Sequence, residues 1–190
     1  MRSNENLLEV FLELQVLDRV PRSGYVLRGV ADPESVTEHS WHVTFMVQVL
    51  GARLPGLDLA RAVEMALLHD LAELRVGDLP RTAGRYFPAG AKREAERAAI
   101  AEILAPLPER ARALHAEYQA GESPEARLVK ACDKLQLMIK VAVYEGWGSG
   151  ALAEFWDNPD NFPAPGIEPV DRLIADLRAR RAASPGGARA

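Results

Sequence analysis

Leu59-Ala60-Arg61-Ala62-Val63-Glu64-Met65-Ala66-Leu67-Leu68-His69-Asp70-Leu71-Ala72-Glu73 decides how the chain is read. Leu59, Val63, Ala66, Leu67 and Leu71 recur at spacings of three and four, the period of a helix with one face in a core. His69 and Asp70 close this apolar run, and Glu73 stands one turn on. Ionisable groups on a core-facing helix cost free energy unless they are paired, hydrogen-bonded or bound to a metal. An imidazole beside a carboxylate there marks a candidate site. Alone, the pair would read as a helix end at the surface. Glu38-His39 upstream and Asp133 downstream turn the reading toward a constellation.

Upstream, Leu54-Pro55-Gly56-Leu57-Asp58 is a tight connection with Asp58 as N-cap, which makes the helices on either side antiparallel neighbours. The earlier helix is expected to start at Asp32-Pro33-Glu34, with Asp32 as N-cap, and to run to about Arg53. Val36, Ser40, Val43, Val47 and Leu50 form its buried stripe, and His39 lies beside it. Residues 4 to 19 make a first amphipathic helix through Leu7, Leu8, Phe11, Leu14 and Leu17. The loop after it, Arg19-Val20-Pro21-Arg22-Ser23-Gly24-Tyr25, gathers two arginines and an aromatic. A solvated turn is the plain reading, but forked guanidinium groups also suit phosphate.

Downstream, residues 82 to 90 read as a loop, with helices over 92–104, 109–119, 124–145, 149–156 and 169–181. The helix over 59–73 is taken as continuous through Glu73. In the helix 124–145, Asp133 projects from a largely apolar face that also carries Val129, Leu137 and Val141. No segment alternates like a strand over a useful length, so the expected fold class is all-α. Residues 1–181 are read as a single domain and 182–190 as a disordered tail.

At 190 residues the chain is long enough to bury a core without disulfides. A net charge of -4 argues against nucleic acid as a partner. No apolar run approaches the roughly 18 residues of a membrane span, so no membrane partner is expected either. The one cysteine, Cys132, forms no intramolecular disulfide and suits a reducing cytoplasm.

His39, His69, Asp70 and Asp133 come from three helices, a common way to build a metal site inside a bundle. Two imidazoles and two carboxylates suit divalent manganese, iron, cobalt, nickel or zinc and can leave positions open for water and substrate. Cys132 points about 100° away from Asp133 on a helix and is not counted as a ligand.

The order His39, then His69-Asp70, then Asp133 resembles the HD-domain metal-dependent phosphohydrolases. The surrounding words are more specific: Pro33-Glu34-Ser35-Val36-Thr37-Glu38-His39-Ser40-Trp41, Leu68-His69-Asp70-Leu71-Ala72-Glu73 and Gly77-Asp78-Leu79-Pro80. These, with the Arg19–Tyr25 loop and Val129-Lys130-Ala131-Cys132-Asp133-Lys134, resemble the 5′-deoxynucleotidase branch over residues 7 to 145. The resemblance implies an HD-domain helical bundle and one divalent transition metal held by His39, His69, Asp70 and Asp133. It implies hydrolysis of deoxyribonucleoside 5′-monophosphates to deoxyribonucleoside and phosphate by a metal-activated water. It makes Glu73 a catalytic carboxylate handling the proton of that water. Asp78 becomes the contact to the sugar or leaving oxygen, Arg19 a phosphate-positioning group and Thr82 a hydroxyl contact. Members of this branch carry tryptophan where this chain has Val20. They are commonly dimers, so a homodimer in the cytoplasm acting on a small nucleotide is expected.

Two alternatives stay open at this stage. One is an HD phosphohydrolase for another nucleotide, an alarmone or a nucleoside triphosphate. The other is a metal-binding regulatory module without turnover. Glu73 is followed by Leu74 and not by the second acid of alarmone-hydrolysing relatives, and Glu73 and Asp78 are both present. His42 is read as a supporting or partly exposed residue, Glu38 as a hydrogen-bonded support and His115 as solvated. Trp41, Trp147 and Trp156 are read as core or interface.

Overall fold

The computed structural model describes residues 2–183; of the tail expected over 182–190, Ala182 and Ala183 continue the last helix, and the rest lies outside the described residues. The helices run in order α1 Arg2–Leu14, α2 Ser23–Val26, α3 Val36–Gly51, α4 Leu59–Leu68, α5 Glu73–Val76 and α6 Arg81–Gly84. Then come α7 Ala91–Ile103, α8 Glu109–Ala120, α9 Pro124–Gly146, α10 Ala153–Asp157 and α11 Glu168–Ala183. No strand occurs among the described residues, and the fold is all-α. An isolated bridge pairs Pro21 with Ser35.

Three helices, α3, α4 and α9, pack on one another, with α8 against α4 and α9 and with α11 against α9. Their apolar stripes interlock through Val43, Val47 and Leu50 of α3, Ala62, Met65 and Ala66 of α4, and Val129, Cys132 and Leu135 of α9. Small residues let the helices approach closely. A Cβ on Gly51 would stand 2.8 Å from Leu59 Cδ1 and 3.2 Å from Leu128 Cδ2, where the ends of α3 and α4 meet α9. Fully buried aliphatic side chains of this kind contribute about 1.5–3 kcal/mol each, so this core fixes the three helices that carry the histidines and Asp133.

The start of α3 departs from the sequence expectation. Ser35, not Asp32, is the N-cap, and it forms a reciprocal capping box with Glu38. The Glu38 N–H donates to Ser35 Oγ at 3.2 Å, and the Ser35 N–H donates to Glu38 Oε2 at 2.7 Å. Ser35 stays extended because the backbone on either side of it is already engaged with the loop before α2. Arg22 N–H donates to Glu34 O, and Val36 N–H to Val20 O, both at 2.9 Å. A long-range pairing thus overrides the local Asp-Pro-Glu start signal.

The helix expected to be continuous through Glu73 also changes. After Leu68 the backbone stays right-handed at His69 and Ala72, but its bonds tighten to three-residue spans. Leu71 N–H bonds to Leu68 O at 3.2 Å, and Glu73 N–H to Asp70 O at 3.0 Å. This tight turn carries His69 and Asp70, and α5 begins at Glu73. Residues 81–84, expected as loop, form the short α6. Further on, α10 starts at Ala153, later than expected, because Gly150 takes a φ of 80°, outside the helical region.

Candidate metal centre and substrate cavity

Each histidine is oriented by a bond on its far nitrogen. His69 Nδ1 lies 2.7 Å from the carbonyl of Ala66, one turn earlier. A carbonyl only accepts, so Nδ1 carries a proton and Nε2 is the atom left to give a lone pair to a metal. His39, fully buried on α3, places Nδ1 2.6 Å from Gln136 Oε1. The two Nε2 atoms face each other at 3.3 Å. Asp70 Oδ2 lies 3.4 Å from His39 Nε2 and 3.3 Å from His69 Nε2. Donor atoms of His39, His69 and Asp70 all fall within 4.8 Å of one another. From α9, Asp133 brings Oδ1 to 3.2 Å from His39 Nε2.

His39, His69 and Asp70 form one close donor group that Asp133 joins through His39, and two imidazoles with two carboxylates so placed fit a divalent metal of the manganese-to-zinc group. Burial alone would raise Asp70, yet His69, Arg22 and His39 hold it well below the ordinary carboxylate range. Asp133 is likewise lowered against its burial, by His39 and Lys134. Both acids are ready as anionic ligands. Cys132, adjacent in sequence, sits in the core with its thiol pushed up to about 12 by burial, so it remains a thiol.

Beside this cluster lies a second ring of acids around one cation. Arg22 Nη1 stands 3.4 Å from Asp70 Oδ2, 3.6 Å from Asp78 Oδ1 and 3.8 Å from Glu73 Oε2. Asp78 is further held by the backbone N–H of Ser23 at 2.8 Å. Burial, then the charges of Asp70 and Asp78, push Glu73 up to about 9, so this carboxyl keeps its proton. Its Oε2 is buried without a hydrogen-bond partner.

Asp70, Glu73, Asp78 and Asp133 line one side of a cavity of about 360 Å³. Arg81, Lys92 and Lys134 bring positive charge to its wall, Arg28 there is paired with Glu154, and Asp160 and Thr82 also line it. Arg19, by contrast, is exposed and does not line the cavity, whereas Arg22 of the same loop does. The loop path decides between them: the Arg22 N–H bond to Glu34 O and the bridge at Pro21 turn Arg22 inward. Phe155 is the aromatic side chain that sequence reading missed in the cavity wall. It stacks on Tyr25 at 5.6 Å, and the Tyr25 hydroxyl donates to Leu137 O at 3.0 Å.

Other residues fall differently from expectation. His115, expected to be solvated, is buried beside Tyr118 with its Nε2 unpartnered, and burial pushes it down to about 4. It lies on a helix rich in charge, where the apolar signal comes only from Leu114 and Tyr118 beside it. Trp156 is buried, while Trp41 and Trp147 are exposed. Glu34, read as a first-turn acid, is buried and bonded to Gln136.

With this geometry in view, comparisons with known proteins agree on one family. The family model described as HD domain matches residues 14–158. The 5′-deoxynucleotidase HDDC2 of Bos taurus is 33% identical over 194 residues, covering 98% of this chain and 91% of that protein. A solved structure of a conserved hypothetical protein from Pyrococcus furiosus superposes with a TM-score of 0.79 at 34% identity, covering 90% of this chain and 99% of that one. A predicted metal-dependent phosphohydrolase from Magnetospirillum magnetotacticum gives a TM-score of 0.65 at 26% identity, over 92% of this chain and 89% of that one. The chain belongs to the HD domain family.

Proposed function

We propose that this protein is a metal-dependent 5′-deoxynucleotidase that hydrolyses deoxyribonucleoside 5′-monophosphates to deoxyribonucleoside and phosphate. One observation carries the reading. The paired Nε2 atoms of His39 and His69 lie behind Asp70 and Asp133, and these two acids line a 360 Å³ cavity together with Glu73, Asp78, Arg81, Lys92 and Lys134. His39, His69, Asp70 and Asp133 are assigned as ligands of one divalent transition metal. When bound, such a metal lowers the pKa of its water toward neutrality and polarises a phosphate oxygen.

The chain's own residues do the rest. Arg81, Lys92 and Lys134 draw the phosphate dianion into the cavity and offset the charge of Asp70, Asp78 and Asp133. The phosphate-positioning role moves from Arg19, which is outside the cavity, to these groups and Arg22. Arg22 holds Asp70, Glu73 and Asp78 in place. Glu73 is assigned to handling the proton of the attacking water: burial and the charges of Asp70 and Asp78 keep it protonated, and a cation bound beside Asp70 would favour the ionised form that accepts a proton. Asp78, fixed by the Ser23 N–H, faces the ester or sugar oxygen, and Thr82 offers a hydroxyl on the same wall. Phosphate release from deoxyribo- and ribonucleoside 5′-monophosphates, with and without added metal, tests the assignment. Release independent of metal would refute it.

The same reading takes the chain as one domain over residues 1–181 and as a homodimer. An exposed apolar face supports the dimer. Trp41 and Phe45 of α3 stack at 5.6 Å and, with Leu67, Leu14 and Leu17, line a groove of about 540 Å³. Exposed Leu8, Phe11 and Leu12 of α1 extend the apolar surface. Stable dimers bury roughly 800 Å² per partner, and Trp41→Asp is expected to convert a dimer to a monomer in sedimentation. No helix among the described residues is long and apolar enough to cross a membrane. A cytoplasmic location is proposed from the lone, free Cys132.

A further inference from the structure

His39 and His69 obtain their orientation from different kinds of partner. His69 leans on a backbone carbonyl, which cannot change its polarity. His39 leans on the side-chain amide of Gln136, which presents an oxygen or an NH2 group according to which way it is turned. Something must hold that amide in one orientation.

Glu34 does so. Its carboxylate, 1% exposed, accepts from Gln136 Nε2 at 2.9 and 3.2 Å. Lys140 Nζ lies 3.1 Å from Glu34 Oε2, and the Glu34 N–H donates to the Tyr144 hydroxyl at 2.7 Å. A carboxylate only accepts, so the NH2 group must face Glu34, which leaves Oε1 facing His39 Nδ1 at 2.6 Å. The imidazole then has to donate from Nδ1. Its lone pair is left on Nε2, the atom that meets His69, Asp70 and Asp133.

We propose that Glu34 and Gln136 are positioning residues: Glu34, anchored by Lys140, fixes the Gln136 amide, and the amide fixes His39 as a metal ligand. This rests on the metal reading of the site. The chain of contacts runs from α9 through the segment before α3 and back to α3, so the capping and bridging at Ser35 also place Glu34. It accounts for a buried acid and a buried amide that the proposed chemistry leaves without a role.

The test is cobalt and zinc affinity of the full-length protein, measured by competition with a chromophoric chelator, alongside the thermal midpoint of each metal-free variant. Loss of an outer partner of a ligating histidine typically weakens metal binding about 10- to 100-fold. Glu34→Gln and Gln136→Leu are each expected to show that loss. The double variant Glu34→Gln/Gln136→Glu exchanges acid and amide while keeping the bonds: the carboxylate at position 136 accepts from His39 Nδ1 and from the amide at position 34. It should regain affinity to within about threefold of the parent, the residual reflecting the lost contact with Lys140.

Wild-type affinity in both single variants would overturn the proposal, as would a double variant no tighter than the singles. A fall in the metal-free thermal midpoint with unchanged affinity would mean a structural role only, and would also overturn it. Failure of the parent protein to bind either metal would instead refute the metal reading beneath it.

Discussion

His115 gives the most quantitative expectation for stability. Burial holds its imidazole at about 4, against an ordinary value of 6.5, and its Nε2 has no partner in the fold. The folded state therefore keeps His115 neutral while the unfolded chain protonates it as pH falls through about 6.5. Stability associated with the neutral form is complete above the unfolded value and is lost as pH drops toward 4. At about 1.36 kcal/mol per pH unit, the full loss is about 3.4 kcal/mol, and roughly 2.5 kcal/mol of it is reached by pH 4.5. His115→Leu removes both the titrating group and the unpartnered nitrogen, whose burial costs about 1–3 kcal/mol. The assay is urea unfolding of parent and variant, both metal-free, at pH 7.5 and 4.5. The variant should equal or exceed the parent at pH 7.5, and the difference in its favour should grow by about 2.5 kcal/mol at pH 4.5. Carboxylates titrating in the same window act on both proteins and cancel. Parallel pH profiles, within about 0.5 kcal/mol, would refute the argument, because a freely solvated His115 predicts that result.

Within the site, Asp70→Ala is expected to abolish metal binding and turnover together, read by metal titration and phosphate release. Glu73→Gln should retain metal and lose about 10²- to 10⁴-fold in kcat; parent-like turnover would remove Glu73 from proton handling. Arg22→Met leaves the Asp70 and Asp78 carboxylates beside an absent cation, and breaking buried charge pairs of this kind costs about 3–5 kcal/mol. Its metal-free thermal midpoint should fall by about 6–20 °C. Saturating metal should recover part of that fall by restoring positive charge beside Asp70.

The helices were legible because their stripes are periodic: Val43, Val47 and Leu50, or Ala62, Met65 and Ala66, mark core faces without any knowledge of their neighbours. The His-Asp pair was legible for the related reason that charge is out of place on such a face. What escaped depends on contacts distant in sequence. Ser35 displaces Asp32 as cap because residues 34–36 pair with the loop at 20–22. The same pairing turns Arg22 inward and leaves Arg19 exposed, a choice that two arginines three residues apart in a loop cannot reveal. Glu34 looked like a helix-start acid, and only the approach of Gln136 and Lys140 from α9 makes it a buried one. His115 sits between Leu114 and Tyr118 in an otherwise charged helix, too short an apolar signal to show its burial.

The central claim is hydrolysis of a deoxyribonucleoside 5′-monophosphate that depends on a metal held by His39, His69, Asp70 and Asp133. The direct measurement is phosphate release by chelator-stripped protein reloaded separately with manganese, cobalt, zinc or magnesium. Substrates would be deoxyribo- and ribonucleoside 5′-monophosphates, 3′-monophosphates, a deoxynucleoside triphosphate and an alarmone. The account predicts no release from stripped protein, and restored release from the 5′-deoxy set that exceeds release from ribose or 3′ esters. Silence toward every 5′-monophosphate with metal demonstrably bound, or equal release without metal, would contradict it.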